Sequence, residues 1–573
     1  MIERGCKSVG IDLGTAHVRL AYVDGQMNPR VWSNSAGELL IPNAVCFDDE
    51  LLVGDAALSS TALRPERVAR LYKPFTGESW SQEIFGRRHT PETLFAIVLA
   101  RIVCEAEETL GAIPGAVITV PACFSEKQRR VVHQAGAIAG LRVLGTLNDS
   151  LAAVLGAGLH RQKRARTVVL FDLGAGTLDV TVMRINSREL EEVAAAGNHQ
   201  LGGRDWDRRL VHHVCEQFNN HFSVDPINAP HAFPQLSLEC EQGKKRLSRL
   251  PRTLIRVHAD GRDHVCEVAR DQFEEISVER LAQARALTER AVTESRLGWD
   301  RIDSVFLTGG GSQMPMIGGM LRELSGRNPE YLPDSSLCNA LGAATYARRL
   351  ESAGALRMPV ASRNEAGGLI RTAADAGSER VAPALNAYGP NRRPRLVPVT
   401  AHGVGFRVRQ KGVSKNIELI PRNTPVPASV SRDFQTRAAP GTEESQHVTI
   451  AVTQGSATDP KRTQELGLAR ITVIPTDEAG HPVRLTVAFD EQGRLHVSAA
   501  SLSSGQDLSV IFRIRELLND EQMVHYRDLV TSGRIAEAVE PKTELDLVLQ
   551  FEESDDFDDD GDEDEMTLFE QTT

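Results

Sequence analysis

One turn occurs twice in this chain, 160 residues apart, and it limits the possible folds more than any other feature. The first copy reads Gly10-Ile11-Asp12-Leu13-Gly14-Thr15. The second reads Phe171-Asp172-Leu173-Gly174-Ala175-Gly176-Thr177-Leu178-Asp179. Each follows an apolar run of strand type and precedes another. Each puts an aspartate at a strand end and small residues beyond it. Glycine lets a backbone approach a phosphate and aim N–H groups at its oxygens. Threonine adds a hydroxyl donor, and aspartate is a hard oxygen ligand suited to hydrated Mg²⁺. A single copy is compatible with an ordinary tight turn. Two copies, one per half, read as strand–turn–strand units that close on a nucleotide from both sides.

Other phosphate motifs are missing. The Gly-Lys step at Gly243-Lys244 is followed by Lys245, and Leu238 stands where a P-loop needs glycine. The 573 residues exceed one core, so two or three domains are expected. A 41% hydrophobic and 25% charged composition is that of a globular protein. The formal charge of −12 is concentrated at one end. Between Glu552 and Glu565 there are 11 acidic residues and no basic one, and without them the body carries about −1. That body has no global field for nucleic acid, and the acidic stretch reads as a disordered tail. Eight cysteines occur without a C-x-x-C pair, so neither a zinc site nor a disulfide framework is indicated. No run approaches the ~18 apolar residues of a membrane span, and Met1 to Lys7 has no apolar signal core. A reduced, cytoplasmic protein with no membrane partner is expected.

Residues 1–350 alternate strand-like and helical runs, as an α/β domain does. Lys7–Asp12, Val18–Val23, Ala116–Val120, Thr167–Asp172, Leu178–Arg184 and Ser304–Thr308 read as strands. Pro91–Leu110 reads as a helix with Thr90 as N-cap and Gly111 as stop. Ser125 and Gln128 form a capping box for a second helix, running to Ala139. Residues 351–395 are rich in Ala, Gly, Arg and Pro without sustained periodicity and read as a linker. Residues 396–515 carry short alternating runs separated by turn residues, the pattern of a β-sandwich. Asn519 caps a helix from Asp520 to about Val530 before the tail. The fold class is therefore a multidomain α/β plus all-β chain with a short helical, acidic C-terminal region.

These segments, in order, resemble the 70-kDa heat-shock chaperone family of DnaK type over about residues 7–530. Besides the two turns, the resemblance rests on four further segments of the first domain. They are Ala116–Ala122, Gly197–Asp207, the Glu241, Lys244, Lys245, Ser248 helix, and Thr308–Pro315. In the second domain it rests on Glu418–Pro427, Val448–Gly455 and Gly493–Ala499. The resemblance implies an actin-like two-lobed ATPase domain (1–350), a β-sandwich substrate-binding domain (396–515) and a truncated lid with its tail (516–573). It implies an ATP-dependent chaperone whose slow hydrolysis to ADP and phosphate is coupled to the binding of unfolded or extended polypeptides, in protein folding and stress response. Mg²⁺ is the implied metal, with K⁺ as a further ion, and a J-domain co-chaperone and a nucleotide-exchange factor are the implied partners.

Site roles carry over residue by residue. Lys73, Asp149, Thr177 and Asp179 take the catalytic places, and Asp12 and Asp172 the metal places. Gly14, Thr15, Ala16, Gly174, Ala175, Gly176, Gly202 and Gly203 fall at phosphate positions. Glu241, Lys244, Lys245, Ser248, Gly309, Gly310, Gly311 and Gln313 fall at adenosine-side positions. Pro121 and Arg129 match the inter-domain switch. Phe406, Phe434, Val448 and Ile450 fall at or beside apolar peptide-cleft positions, and Arg409 and Arg437 near the two positions that arch over bound peptide.

The chain departs from the family at several of these places. Asp149, followed by Ser150, replaces a glutamate followed by proline and is one methylene shorter. Ala175 replaces the middle glycine of the second turn, Ala16 replaces a threonine, and Gln313 replaces an arginine. Arg395-Leu396-Val397-Pro398-Val399 replaces a leucine-rich linker, so its docking on the ATPase domain is expected to be weaker. These changes keep a rival reading open, a nucleotide-gated scaffold or sensor with little turnover. A sugar kinase or actin relative of the same ATPase fold is disfavoured by the sandwich segments.

Overall fold

The structure, a computed structural model, describes residues 7–48, 50–162, 164–228, 232–353, 394–410, 413–435, 446–473, 481–490, 493–514 and 517–531. Most of the linker, Arg437 and the acidic tail lie outside these residues.

The central strands of the first domain are near-continuous apolar runs, and such runs belong between layers that cover both faces. Val9–Leu13 and Ala116–Val120 are buried along their whole length. In the first lobe the strand order is Val143–Asn148, Ala116–Val120, Val9–Leu13, His17–Val23, Pro29–Val31. In the second it is Glu330–Tyr331, Ser304–Thr308, Arg166–Leu173, Leu178–Ile185, Glu189–Asn198, Arg395–Val397. The duplicated turn has the same setting in both. Each aspartate-bearing strand pairs in parallel on one side, with Ala116–Val120 or Ser304–Thr308. On the other side each forms an antiparallel hairpin, with His17–Val23 or Leu178–Ile185.

Local signals set the flanking helices. Pro91–Leu110 runs from a proline at its first turn to Gly111. Glu126–Ile138 carries the reciprocal Ser125/Gln128 capping box. Pro315–Ser325 ends at Gly326 in the left-handed region, φ 66°. The helix Cys338–Ser352 lies unusually close to its neighbours because three glycines leave room. A Cβ on Gly10 would sit 2.0 Å from Ala344 N, on Gly156 2.0 Å from Cys338 O, and on Gly342 1.9 Å from Ala152 O.

The β-sandwich packs a five-stranded sheet on a four-stranded one. The first has the order Val413–Ile420, Val404–Gln410, Gln446–Gln454, Gln464–Val473, Val510–Ile514. The second has the order Ala428–Gln435, Pro482–Phe489, Leu495–Ser501, Asp507–Leu508. Inward-facing residues of both close one core around Phe406, Phe434, Leu485 and Ile471. The sandwich rests on both lobes of the first domain. His402 Nε2 meets Cys123 O at 3.1 Å, and Asn423 Nδ2 donates to Glu294 Oε2 at 2.9 Å.

The helix Asp520–Thr531 docks on the first lobe against Pro91–Leu110 and Glu126–Ile138. Val530 is buried there, with Met523, Tyr526 and Leu529 packed beside it. Gln134 Nε2 donates to Leu518 O at 2.6 Å and Arg527 Nε to Ala137 O at 2.9 Å. Asn519 and Gln522 cap its start reciprocally.

Candidate nucleotide site

Both duplicated turns open into one cleft of about 850 Å³ between the lobes. Hairpin register decides which side chains face it. Asp12 stands opposite Arg19 across the first hairpin, and Asp172 stands opposite Asp179 across the second. The two positions correspond, yet the charges differ. Arg19 Nη1 donates to Asp12 Oδ2 at 2.9 Å, so the first hairpin is close to neutral. The second places two carboxylates face to face, an arrangement that is destabilising without compensation. Asp179 is relieved in part by Cys123 N–H, which donates to Oδ1 at 3.0 Å. Burial, then Asp149, pushes Asp179 up to about 7. Burial, then Asp149, Asp179 and Asp12, raises Asp172 well above the carboxylate range. Asp149, at the start of the helix Asp149–Gly156, is raised mainly by burial, against the pull of Lys73.

Cations face these acids. Lys73 is 4% exposed in the turn Lys73–Phe75, with its ammonium 5.7 Å from the Phe124 ring. Lys244 Nζ donates to Gly203 O at 2.8 Å and pairs with Asp207 at 2.8 Å. His17, also on the cleft wall, is held neutral near neutral pH. Burial, with Arg19 and Lys245, brings it down to about 4.

The backbone brings the turns together. A Cβ on Gly176 would sit 2.7 Å from both Pro74 and Thr15, so the Lys73 turn and both hairpins meet where no side chain fits. Gly202 abuts the Gly176 backbone in the same way. Gly309, at φ 79°, passes Asp172 so closely that a Cβ would lie 2.5 Å from Oδ1, while Gly310 has open space. Arg70 of the first lobe spans the cleft mouth to Glu241 Oε2 at 3.0 Å. Burial opposes ionisation of Glu241, but Lys245, Arg70 and Lys244 hold it at about 2.

This donor set fits a magnesium nucleotide. Amides, hydroxyls and ammonium groups face one volume, and a surplus of buried carboxylate sits beside them. Among the described residues, no three His, Cys, Asp or Glu side chains converge to ligate a metal directly. A cation here would be held through waters and phosphate oxygens.

A family model described as Hsp70 protein matches residues 8–89, 82–357 and 395–562. The chaperone protein DnaK of Thermotoga neapolitana is 32% identical over 534 residues, 91% of this chain and 83% of the relative. The chain belongs to the Hsp70 family. The DnaK of Thermotoga maritima is 31% identical over the same span, and that of Thermosipho melanesiensis 30% over 525 residues.

In this Hsp70, the cleft wall includes Asp12, Gly14, Thr15, Ala16, Lys73, Asp149, Asp172, Gly174, Ala175 and Thr177 from the sequence reading. It also includes Gly203, Glu241, Lys244, Lys245, Gly309, Gly310, Gly311 and Gln313. Gly176, Gly202 and Asp179 stand behind the wall and shape it. Ser248 is turned away, with its hydroxyl on Lys244 O at 3.2 Å.

Arg19, His17, Arg204 and Asn339 also line the cleft and escaped the sequence reading. Arg19 could have been found. It lies seven residues after Asp12, as Asp179 does after Asp172, but its charge hid the equivalence.

One expectation for the second half of this Hsp70 needs correction. Phe406, Phe434, Val448 and Ile450 do not line an open cleft. All are at most 4% exposed in the sandwich core, because strand alternation turns them inward. Arg409 lies in the strand Val404–Gln410, its side chain outside the described atoms. The linker, expected to dock more weakly than a leucine run, is seated on the ATPase domain. Arg395–Val397 adds a parallel edge strand beside Glu189–Glu191, and Val399 is buried against Ala122 and Ala195. Edge pairing uses backbone groups, so it tolerates the loss of a leucine run.

Proposed function

We propose that this chain is an ATP-dependent molecular chaperone, hydrolysing ATP in the inter-lobe cleft and binding unfolded polypeptide segments with its sandwich domain. The observation that carries this reading is the cleft itself, where both duplicated turns, Lys73 and three buried carboxylates meet on one volume. Bound Mg²⁺ would neutralise the charge of the β- and γ-phosphates. Asp12 and Asp172 would hold its waters. Lys73 and Thr177 would grip the γ-phosphate, while Asp149 and Asp179 would orient the attacking water. This is positioning and charge neutralisation, the main requirement of phosphoryl transfer.

The chemistry is expected to be slow, since Asp149 is a short carboxylate. The docked linker and the contacts of His402 and Asn423 are the physical route by which nucleotide state would reach the sandwich. A J-domain partner, an exchange factor and a cytoplasmic setting belong to the same reading. No helix among the described residues is long and apolar enough to cross a membrane.

Single-turnover ATP hydrolysis by the full chain, with and without an unfolded polypeptide, tests this. Slow turnover that responds to polypeptide is expected, with polypeptide affinity changing between ATP and ADP. ATP binding without any turnover would instead favour the nucleotide-gated scaffold.

Arg19 gives a separate prediction. Arg19→Met removes a charged donor from the phosphate side and leaves Asp12 uncompensated. A charged hydrogen bond contributes about 1.5–3 kcal/mol, so ATP affinity should fall by roughly 10- to 100-fold in a calorimetric titration. Unchanged affinity would mean that Arg19 serves Asp12 alone.

A further inference from the structure

Glu192 is a fully buried carboxylate outside the nucleotide cleft, and the hydrolysis chemistry does not use it. It sits in the strand Glu189–Asn198, in the apolar seat of the linker, near Ala195, Ala122 and Val399. Its charge is met by hydrogen-bond donors from two parts of the chain. Val399 N of the linker donates to Oε2 at 3.1 Å. Asn148 Nδ2 donates to the same oxygen at 2.9 Å, and the Ser150 hydroxyl donates to Oε1. Asn148 and Ser150 are the immediate neighbours of Asp149. They turn towards Glu192, while Asp149 between them turns into the nucleotide cleft. Arg129 Nη2 donates to the side-chain oxygen Oδ1 of Asn148 at 2.8 Å.

We propose that Glu192 is a positioning residue through which the docked linker orders Asp149 for hydrolysis, an inference that rests on the ATPase reading above. With the linker seated, the carboxylate takes the Val399 N–H and both donors flanking Asp149. The backbone of residues 148–150 is then held at two points one residue either side of the reacting group. When the linker leaves, the buried carboxylate loses one donor, and a buried acceptor left short must find another. Asn148 and Ser150 already donate to it, so a shift of the carboxylate towards a new donor pulls on both and carries Asp149 with it. Ser150 makes this possible, because proline at that place has no hydroxyl.

The test uses the full chain and two readouts. Amide hydrogen exchange across 395–399 reports the linker, and steady-state ATP hydrolysis reports kcat and KM separately. Glu192→Val should speed exchange at Val399 at least tenfold. It should lower kcat about tenfold at unchanged KM, since small misplacements of a positioning group are costly while Glu192 does not touch nucleotide. Glu192→Gln keeps an acceptor for the Val399 amide and should restore most of both. Val399→Pro removes the same N–H from the linker side and leaves the ATPase domain intact. It should give the same fall in kcat and add nothing to Glu192→Val. Unchanged exchange in Glu192→Val, or additive losses in the double variant, would overturn the proposal. If the wild type turns over no ATP, the ATPase reading fails separately, and the exchange result still decides whether Glu192 holds the linker.

Discussion

Lys73→Ala should lower ATP turnover by on the order of 10²–10³ while leaving ATP binding measurable, the loss expected for one preorganised charge in a water-poor site. Lys73 is almost fully buried on the cleft wall and faces Asp149 and Asp172 electrostatically. Its backbone is held in place and its ammonium has an aromatic neighbour. The Thr76 hydroxyl donates to Lys73 O at 2.6 Å, and the Phe124 ring lies beside the charge. Removing the ammonium leaves Arg19 and the glycine turns on the phosphate side and Lys244 and Lys245 on the adenosine side, so affinity should survive. Asp179→Asn should behave alike, because asparagine retains an acceptor for Cys123 N–H while losing the charge. Rapid-quench single-turnover measurements with separate nucleotide titrations divide the two effects. Wild-type turnover in Lys73→Ala would remove Lys73 from the chemistry.

Gly342→Ala should be the most damaging small substitution in the ATPase domain. Its Cβ would overlap the Ala152 carbonyl at 1.9 Å, and backbone on two packed helices cannot yield as a side-chain tip can. The helix Cys338–Ser352 also touches Val9–Leu13 at Gly10, so displacing it disturbs the strand that bears Asp12. A cost above about 4 kcal/mol is expected, in the range reserved for severe core disruption. The first thermal transition should fall by about 10 °C or more. Gly318→Ala is the control. It lies in the helix Pro315–Ser325 with nothing within 4 Å of the new methyl. It should be neutral or gain up to about 1 kcal/mol from helix propensity. Equal midpoints for the two variants would refute the close-packing argument.

Local chemistry made much of the fold legible. Pro91–Leu110 and Ser304–Thr308 have the bounds read from the sequence, because proline, glycine and an unbroken apolar run mark them. The two aspartate hairpins were legible because they repeat, since one copy alone is compatible with an ordinary tight turn. Strands with mixed composition were not. The hairpin of Arg252–Ala259 with Arg262–Ala269 has no counterpart among the strands expected for the first domain. Each of its strands carries several charged or polar residues on its outer face, which blurs the alternation. The peptide-side assignments misled because an inward apolar residue looks the same in sequence whether it faces a core or a groove.

The sequence by itself determined that one aspartate turn recurs 160 residues apart, that an α/β domain precedes a β-sandwich, and, through the family resemblance, that Lys73 belongs beside those turns. These are properties of short segments, legible where a pattern repeats or a spacing matches. Only the tertiary structure decided that Arg19 mirrors Asp179, that the linker seats as an edge strand, that the helix Asp520–Thr531 lies on the first lobe, and that Glu192 joins the linker to Asp149. The physical reason is separation along the chain. Val399 and Glu192 are 207 residues apart, and Gln134 and Leu518 are 384 apart. Contacts at such distances follow from how whole sheets and helices stack, and no local pattern encodes them.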